Sequence, residues 1–349
     1  MPPVHTPKVL VTGASGFLAA HVCNTLLERG YRVVGTVRSQ NKGEYLEKLY
    51  NTPNFSFAVV PDISAKGAID SLLSDIDCVQ HTASQFHFGA HDPDELIRPA
   101  VEGTLSVLNS VLEHGTNVKR VVYTSSTAAV ITPRDKPTNF TEDDWNTHSP
   151  AEVERLGVDA GPSDKYQASK VISERAAWEF VANAERKANG SLPWDLVTIC
   201  PPFIFGPIIH EVSSPDKLNT SSAFFNGWIS ELPPKEQVIS PFLNLVDVRD
   251  VALAHVLAMK NPNSGGERFI VSNGPFCVQD IYDALSDANV PDVPRGYPGE
   301  QTPQAEQHAH DGSKACKVLG LEMTSRSKMC ADTVESLRKL TRRENGVQA

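Results

Sequence analysis

The residues best suited to chemistry are a tyrosine and a lysine four positions apart, Tyr166 and Lys170. On a helix this spacing places both side chains on one face, one turn apart. A phenol has an ordinary pKa of about 10, and a nearby ammonium group favours the phenolate. Tyr166 could therefore exchange a proton with a hydroxyl or carbonyl group near neutral pH.

The setting of this pair matters more than its spacing. A chain with seven tyrosines shows some Tyr-x-x-x-Lys pair by chance about one time in three. Here the helix follows a predicted strand at residues 120–124, and this strand ends in Thr124-Ser125-Ser126. A serine at the carboxyl end of a parallel strand can donate to a carbonyl oxygen and stabilise the charge that develops there. The alternative is a strand-end hydroxyl satisfied by a turn.

A glycine-rich turn near the start predicts phosphate binding. The apolar run 8–11 leads into G-x-x-G-x-x-A at residues 13–19, and a helical pattern follows. A strand that turns through glycines into a helix points backbone N–H groups and the positive end of the helix dipole at a phosphate. Gly13 would make the turn, and Gly16 would let the main chain come close. The turn predicts a dinucleotide site, the alternative being an ordinary glycine turn.

The end of the second predicted strand indicates which dinucleotide binds. Arg38 stands 22 residues after Gly16, where an NAD enzyme usually carries Asp or Glu for the ribose hydroxyls. With Ser39 and Lys42 it offers a cationic pocket for a 2′-phosphate, and an arginine can bind two phosphate oxygens at once. A solvated basic loop is the alternative. The sequence therefore favours NADP over NAD.

The elements that must position these residues follow a regular order. Short apolar runs alternate with helical patterns through the first 200 residues, which predicts a parallel sheet covered by helices on both faces. Helices are expected at 93–114 and 163–189. The polar stretch 132–161 is predicted to cross the surface near the active-site mouth. The predicted fold is α/β, a Rossmann-type doubly wound parallel sheet with a smaller, discontinuous C-terminal substrate domain.

The character of the chain changes after Cys200, where prolines divide it into short pieces. An apolar run at 243–246 and a helical pattern at 250–260 follow, and a last helix is expected at 333–341. We predict an NADP-binding Rossmann domain formed by residues 1–200 and 237–265. Residues 201–236 and 266–349 are predicted to form the substrate-binding domain.

Bulk properties exclude several classes of partner. The 349 residues carry a net charge of −10, which argues against nucleic acid. The six cysteines lie far apart without a C-x-x-C pair, as expected for buried thiols in a reducing compartment. We find neither a leader-like apolar region nor a membrane-length apolar run, and the histidines lack metal spacing. We expect a cytoplasmic protein that binds neither a membrane nor a metal ion. The oligomeric state, monomer or homodimer, stays open.

Four features together resemble an extended short-chain dehydrogenase/reductase: the glycine turn, Thr124-Ser125-Ser126, Tyr166-x-x-x-Lys170 and the segment 201–207. The similarity covers nearly the whole chain. Within this superfamily it is strongest to the NADPH-dependent methylglyoxal/3-methylbutanal reductases and related ketone reductases. Dihydroflavonol and cinnamoyl-CoA reductases are more distantly similar. Further support lies in the segments 81–84, 99–104, 176–180 and 246–252.

The resemblance implies a role for each matching residue. Tyr166 would donate a proton to the carbonyl, Lys170 would adjust the tyrosine pKa and anchor the ribose, and Ser126 would orient the carbonyl. The cofactor contacts that it implies are Gly13, Ser15, Gly16, Phe17 and Leu18 for the pyrophosphate, Arg38 and Lys42 for the 2′-phosphate, Asp62 and Ile63 for the adenine, and Pro201 and Ile204 for the nicotinamide, with Thr124, Tyr166 and Lys170 beside them. The substrate contacts that it implies are Phe86, Phe88, Thr127 and Phe203, and core packing stays open for each phenylalanine.

One residue departs from the pattern. Many relatives have Asn where this chain has Glu102. This difference puts in doubt whether a helix asparagine serves a proton-relay water in this chain.

These observations predict an NADPH-dependent carbonyl reductase that converts an aldehyde or ketone to an alcohol. One alternative is a nucleotide-sugar epimerase or dehydratase on the same fold, which usually retains NAD and needs cationic side chains for a diphosphate in the second domain. Arg38 and the phenylalanine-rich pocket disfavour it. The other alternative is a non-catalytic NADP sensor, which could dispense with Tyr166 and Lys170.

Overall fold

The structure is a computed structural model that describes residues 6–84 and 89–344. Its strands are β1 (Lys8–Thr12), β2 (Arg32–Val37), β3 (Phe55–Val59), β4 (Cys78–His81), β5 (Arg120–Thr124), β6 (Asn139–Phe140), β7 (Asp195–Cys200), β8 (Phe203–Phe205), β9 (Pro241–Asp247), β10 (Arg268–Ile270), β11 (Pro275–Cys277) and β12 (Ala309–His310). Its α-helices are α1 (Phe17–Glu28), α2 (Gln40–Tyr50), α3 (Asp94–His114), α4 (His148–Leu156), α5 (Pro162–Ala188), α6 (Thr220–Ser230), α7 (Lys235–Ile239), α8 (Val248–Lys260), α9 (Val278–Asp287), α10 (Ser313–Leu319) and α11 (Arg326–Glu344).

A seven-stranded sheet forms the centre of the molecule, in the order β10-β7-β5-β4-β1-β2-β3. Every strand pair in it is parallel. The chain winds outward from β1 in one direction to β3 and then in the other direction through β4, β5 and β7. The predicted doubly wound α/β fold is confirmed. A sheet of this kind binds ligands outside the carboxyl ends of its strands, at the point where the winding reverses, which here lies between β1 and β4.

Alternating side chains on each strand explain why the sheet is covered on both faces. Val9 and Val11 of β1 belong to a buried cluster that includes residues of α1 and α8. Leu10 points the other way, into a cluster that includes residues of α3 and α5. Successive side chains of a strand point to opposite faces, so a continuous apolar run fits a strand that is buried on both.

The C-terminal pieces build a second, smaller core around an aromatic cluster that includes Phe205, Phe225, Trp228 and Phe276. Beside it lies a three-stranded sheet in the order β11-β9-β8, with β8 and β9 parallel and β9 and β11 antiparallel. Helices α6, α9 and α11 contribute to this core. We refer to this part of the molecule as the second lobe.

The strand pairing places two segments differently from the predicted domain ranges. Strand β9 lies within 237–265 but pairs with β8 and β11 of the second lobe, and β10 lies within 266–349 but forms an edge of the large sheet. Apolar periodicity identifies a strand but not the sheet that it joins. The division into domains at the predicted boundaries stays a prediction.

The predicted helices agree closely with the structure for α3, α5 and α8, whereas α11 begins at Arg326, earlier than the expected 333. The polar stretch 132–161 contains β6 and α4, and β6 pairs with β12 of the C-terminal part. Within the described ranges, no helix combines the length and the apolar character that crossing a bilayer requires.

Candidate active site

A cleft of about 930 Å³ opens at the carboxyl edge of the large sheet and is closed on one side by the second lobe. All predicted site residues within the described part of the chain line it: Gly13, Ser15, Gly16, Phe17, Leu18, Arg38, Lys42, Asp62, Ile63, Thr124, Ser126, Thr127, Tyr166, Lys170, Pro201, Phe203 and Ile204. Phe86 and Phe88 lie outside the described residues. The structure therefore brings together residues from nearly two hundred positions of sequence, and their individual roles stay predictions.

The glycine turn is shaped for close approach of a ligand. Gly13 has a φ of +67°, and a Cβ built on it would lie 3.1 Å from the Cα and Cβ of Ala83. Its N–H donates to Thr36 Oγ1 at 3.1 Å. Gly16 is the N-cap of α1 and, having no side chain, leaves the first N–H groups of that helix without a side-chain cap from its N-cap residue. Free N–H groups at a helix N-terminus attract anions, and the dipole of the helix adds to that attraction.

A buried hydroxyl fixes this turn against the loop that follows β4. Thr12 Oγ1 accepts the N–H groups of Thr82 and Ala83, each at 3.1 Å, and lies 2.9 Å from His81 Nδ1. Because two N–H groups already donate to this hydroxyl, its own hydrogen is directed to Nδ1, an arrangement that assigns the ring proton to Nε2, which has no partner among the described residues. Burial lowers the pKa of His81 to about 3, and the ring stays neutral.

The far end of the cleft carries the residues predicted for the 2′-phosphate and adenine. Arg38 is exposed at its rim. Lys42 pairs with Glu211 at 2.8 Å, so a phosphate at this place would compete with a carboxylate for the lysine. Asp62 accepts the Ser64 hydroxyl at 2.6 Å and the Ser64 N–H at 2.9 Å, which lowers its pKa. Arg38, whose charge also lowers the pKa of Asp62, stays the predicted partner of a 2′-phosphate.

Two adjacent serines follow β5, and the two hydroxyl groups have different surroundings. Ser125 Oγ donates to Glu174 Oε2 at 2.6 Å and is buried. Ser126 lines the cleft, where its Oγ accepts the Ala128 N–H at 3.1 Å and lies 3.3 Å from the Pro201 carbonyl. It is also hydrogen-bonded to the Tyr166 hydroxyl. Ser126 is therefore the serine that can reach a carbonyl in the cleft.

Tyr166 and Lys170 face the cleft from α5, as their spacing predicts, but their acid–base properties differ from the expectation. Burial raises the pKa of Tyr166, and its hydrogen bond with Ser126 lowers it only partly. Burial also lowers the pKa of Lys170 from 10.5 to about 8, against the opposing pull of Glu174. Desolvation of the charged forms outweighs the attraction that would favour a phenolate. In the protein alone Tyr166 is a neutral phenol, the form that can donate a proton.

Lys170 is positioned by the loop after β4. Its Nζ donates to Ser84 Oγ at 2.7 Å and lies 5.9 Å from the centre of the Tyr166 ring. Ser84 belongs to the segment that supported the family resemblance, although the sequence did not single it out as a site residue. Its place after a strand end at the reversal point is the signal that would have found it.

A buried ion pair supports this part of α5 from behind. Glu174, one turn beyond Lys170, accepts Arg268 Nε at 2.8 Å and Thr198 Oγ1 at 3.0 Å. The guanidinium of Arg268 also lies 3.9 Å from the centre of the Trp145 ring. Because Glu174 also holds Ser125, one carboxylate connects α5, β5, β7 and β10 beneath the cleft.

The hydroxyl of Thr124 is turned away from the cleft. Its Oγ1 lies 3.1 Å from His255 Nε2, and His255 Nδ1 lies 2.8 Å from Gln80 Oε1. Burial lowers the pKa of His255 to about 3. The neutral ring donates through Nδ1 and accepts the hydroxyl of Thr124, so this residue can contribute backbone and methyl surface to a ligand.

The wall opposite Tyr166 comes from the chain that leaves β7. The Pro201 carbonyl accepts the Thr127 N–H at 3.0 Å, and the Ile204 carbonyl accepts Ser221 Oγ at 2.6 Å. Phe203 lines the cleft and also packs on Phe242, with ring centres 5.7 Å apart. Phe203 thus packs in the second lobe and borders the cleft, and its contact with a substrate stays a prediction.

Further residues line the cleft without having been predicted, among them Gln167, Leu243 and His310. His310 lies in the C-terminal part of the chain, and no local sequence pattern marks it. Glu102, in contrast, is exposed on α3 and does not line the cleft. Within the described ranges, no group of three or more His, Cys, Asp or Glu side chains is arranged to hold a metal ion.

Comparison with known proteins places this geometry in context. The family described as the NAD dependent epimerase/dehydratase family matches residues 9–272. The NADPH-dependent methylglyoxal reductase GRE2 of Saccharomyces cerevisiae is 36% identical over 95% of this chain and 98% of its own length. Ketoreductase azaE of Aspergillus niger is 37% identical over 95% of this chain and 97% of its own.

A solved structure shows the same arrangement of elements. Gre2 from Candida albicans in complex with NADPH superimposes with a TM-score of 0.83 at 35% identity, covering 96% of this chain and 99% of that chain. The family resemblance predicted from the motifs is confirmed.

Proposed function

We propose that this chain, which belongs to the NAD dependent epimerase/dehydratase family, works as an NADPH-dependent reductase that converts aldehydes and ketones to alcohols. The observation that carries the proposal is the convergence of Ser126, Tyr166 and Lys170 in the same cleft as the glycine turn. Relatives named as an NADPH-dependent methylglyoxal reductase and a ketoreductase support the same chemistry.

The residues present fit the cofactor. At Gly13 a side chain would press against Ala83, and the uncapped start of α1 presents N–H groups where a pyrophosphate would lie. Arg38 stands where a 2′-phosphate would need a cation. Pro201 and Ile204 would flank the nicotinamide, and Lys170 would reach its ribose.

NADPH supplies the hydride for the carbonyl carbon when it is bound. The chain supplies the rest of the chemistry. Ser126 donates a hydrogen bond to the carbonyl oxygen and orients it. Tyr166, held as a neutral phenol, gives its proton to that oxygen as negative charge develops there. The positive charge of Lys170, close to the Tyr166 ring, then stabilises the phenolate that remains.

The two alternatives account for the site less well. An epimerase or dehydratase that acts on a nucleotide-sugar needs cations for a diphosphate in the second lobe. Among the described lining residues the cations are Arg38, Lys42 and Lys170, and all three belong to the large-sheet side. A sensor that only binds NADP would not need the acid–base pair Tyr166 and Lys170 in the cleft.

The proposal is tested by following NADPH absorbance with a panel of small aldehydes and ketones. Turnover with several of them, and much less with NADH, is the expected result. Absence of turnover with every carbonyl compound, together with NAD-dependent conversion of a nucleotide-sugar, would replace the proposal by the epimerase alternative. Tight NADPH binding without either activity would favour the sensor.

A further inference from the structure

A second cavity of about 230 Å³ adjoins the cleft on the side of the second lobe. We call it the side pocket; the residues that line it are Ile131, Thr132, Pro133, Phe140, Gln167, Pro241, Phe242, Leu243, Asn244, Gln307, His308 and His310. Four of them line the cleft as well, namely Ile131, Gln167, Leu243 and His310. Gln167 directly follows Tyr166, so the side pocket begins beside the proposed proton donor.

Two polar side chains in the side pocket are buried without a complete set of partners. Gln307 is 5% exposed, and its Nε2 donates to the Thr302 carbonyl at 2.7 Å. A carbonyl only accepts, so this bond fixes which end of the amide is nitrogen. Its Oε1 is then a buried acceptor that has no partner among the described residues.

His310 is the second such side chain and is also 5% exposed. Its backbone N–H donates to Asn244 Oδ1 at 2.9 Å, which fixes the main chain, but its ring Nδ1 has no partner in the described part of the protein. Burial lowers the pKa of His310 to about 3, so the ring is neutral. A neutral imidazole presents one donor and one acceptor.

Buried polar groups are nearly always hydrogen-bonded, because leaving one unpaired destabilises the folded protein. An acceptor and a neutral imidazole in one cavity match a hydroxyl group, which both donates and accepts. A carboxylate fits less well. Its negative charge would lie against the Gln307 oxygen, and the described residues of the side pocket include neither lysine nor arginine. The remaining walls are largely apolar, with Phe140, Phe242 and Leu243 among them.

We propose that the side pocket holds the distal end of the substrate, and that the substrates are carbonyl compounds with a hydroxyl group at the end of an apolar chain. This inference rests on the proposed reductase function and names its substrate class. The hydroxyl would bind at Gln307 and His310, while the carbonyl lies at Tyr166 and Ser126. Ordered water in the side pocket, displaced by no substrate, is the competing explanation.

The test compares linear methyl ketones that end in a hydroxyl group, from hydroxybutanone to hydroxyoctanone, with analogues that carry a methyl group in its place. We expect kcat/KM to favour the hydroxyl form by about tenfold at the chain length that reaches the side pocket, the effect of one or two hydrogen bonds. Equal kcat/KM values for each pair in the unmodified enzyme would overturn the inference.

Variants locate the effect. His310→Leu and Gln307→Met should each reduce the tenfold ratio to about twofold, whereas His310→Gln, which keeps a donor and an acceptor, should retain most of it. His114→Leu is the control, because His114 is an exposed histidine at the end of α3 that lines neither the cleft nor the side pocket. Thermal unfolding of each variant identifies any that fails to fold. A ratio unchanged in both His310→Leu and Gln307→Met would contradict the proposal.

Binding gives a readout that does not depend on turnover. Calorimetric titration of the diol products and of the matching mono-alcohols into the protein with NADP⁺ should show about tenfold tighter binding of the diol, lost in His310→Leu. If no ketone or aldehyde is reduced, the proposed function is wrong. The titration still shows in that case whether the side pocket binds a hydroxyl group. If ketones are reduced but the diol binds no better than the mono-alcohol, the pocket holds water only and the inference fails alone.

Discussion

The two walls of the cleft differ in how fully their polar side chains are hydrogen-bonded within the protein. On the large-sheet side, Ser126 and Lys170 are held by hydrogen bonds from nearby loops and strands, and Glu174 connects the elements beneath them. On the second-lobe side, short strands and loops present Phe203, Leu243 and His310, and the ring Nδ1 of His310 has no partner among the described residues. Groups that transfer protons need fixed geometry, whereas a wall that sorts substrates needs groups left free for a ligand.

This difference leads to distinct expectations for the two walls. Changes on the large-sheet side should alter the chemical step or the choice of cofactor for every substrate. Changes on the second-lobe side should alter the order of preference among substrates and leave the chemistry intact. The predictions below test that separation.

The largest effect is expected for Tyr166→Phe, which keeps the ring and removes the proton. We expect the chemical step to slow by about two to four orders of magnitude, the usual range for loss of a positioned general acid, with NADPH affinity nearly unchanged. Single-turnover kinetics and a fluorescence titration of NADPH measure the two quantities. Tyr123→Phe is the matched control, because its hydroxyl bonds Ser173 and does not line the cleft. A Tyr166→Phe enzyme with more than about a third of the normal rate would assign the acid to another residue.

The next effect concerns the cofactor. Because Arg38 is exposed at the far end of the cleft, we expect kcat/KM with NADPH to exceed that with NADH by at least about tenfold. Arg38→Asp should reverse much of this preference, whereas Arg186→Asp, on the surface of α5, should leave it unchanged. Steady-state kinetics with both cofactors decide the matter. An unmodified enzyme that uses both equally would remove Arg38 from the 2′-phosphate site.

The lowered pKa of Lys170 leads us to expect that kcat/KM for NADPH depends on pH. Its pKa of about 8 in the free protein means that its charge is present below pH 8 and disappears above it. Tyr166 has a raised pKa and keeps its proton through this range. The kcat/KM for NADPH should therefore fall by about tenfold per pH unit above pH 8. In Lys170→Met this basic limb should vanish from a lower starting value. A limb of the same shape in the variant would assign the titration to another group.

The smallest effect is expected on the second-lobe wall. If Phe203 contacts the substrate, each added methylene of an aldehyde series should contribute up to about 0.8 kcal/mol, or about fourfold in kcat/KM. Phe203→Ala should flatten the series and leave NADPH affinity little changed. Phe224→Ala is the control, since this ring packs on Phe203 with centres 5.9 Å apart but does not line the cleft. A flat series in the parent enzyme would make Phe203 a core residue alone.

Much of the large-sheet side could be predicted because its signals are local. Apolar runs of strand length, a glycine turn and a Tyr-x-x-x-Lys spacing each lie within a few residues, and the fold places the carboxyl ends of parallel strands at one edge. Ser126, Tyr166 and Lys170 were therefore found together with the turn at Gly13. The second-lobe wall could not be predicted in this way, because it is assembled from short pieces far apart in the chain.

By itself, then, the sequence determined the α/β fold, the family, the glycine turn and the helix face that carries Tyr166 and Lys170, since periodicity and spacing act over one or two turns of chain. Tertiary structure alone showed why the Ser125 hydroxyl is not available for the role of the neighbouring Ser126, because Ser125 Oγ donates to the buried carboxylate of Glu174. It also decided the direction of the Tyr166 pKa, because desolvation depends on every element packed around the hydroxyl. It brought His310 to the cleft for the same reason: burial and proximity are sums over the whole fold, and no local pattern encodes them.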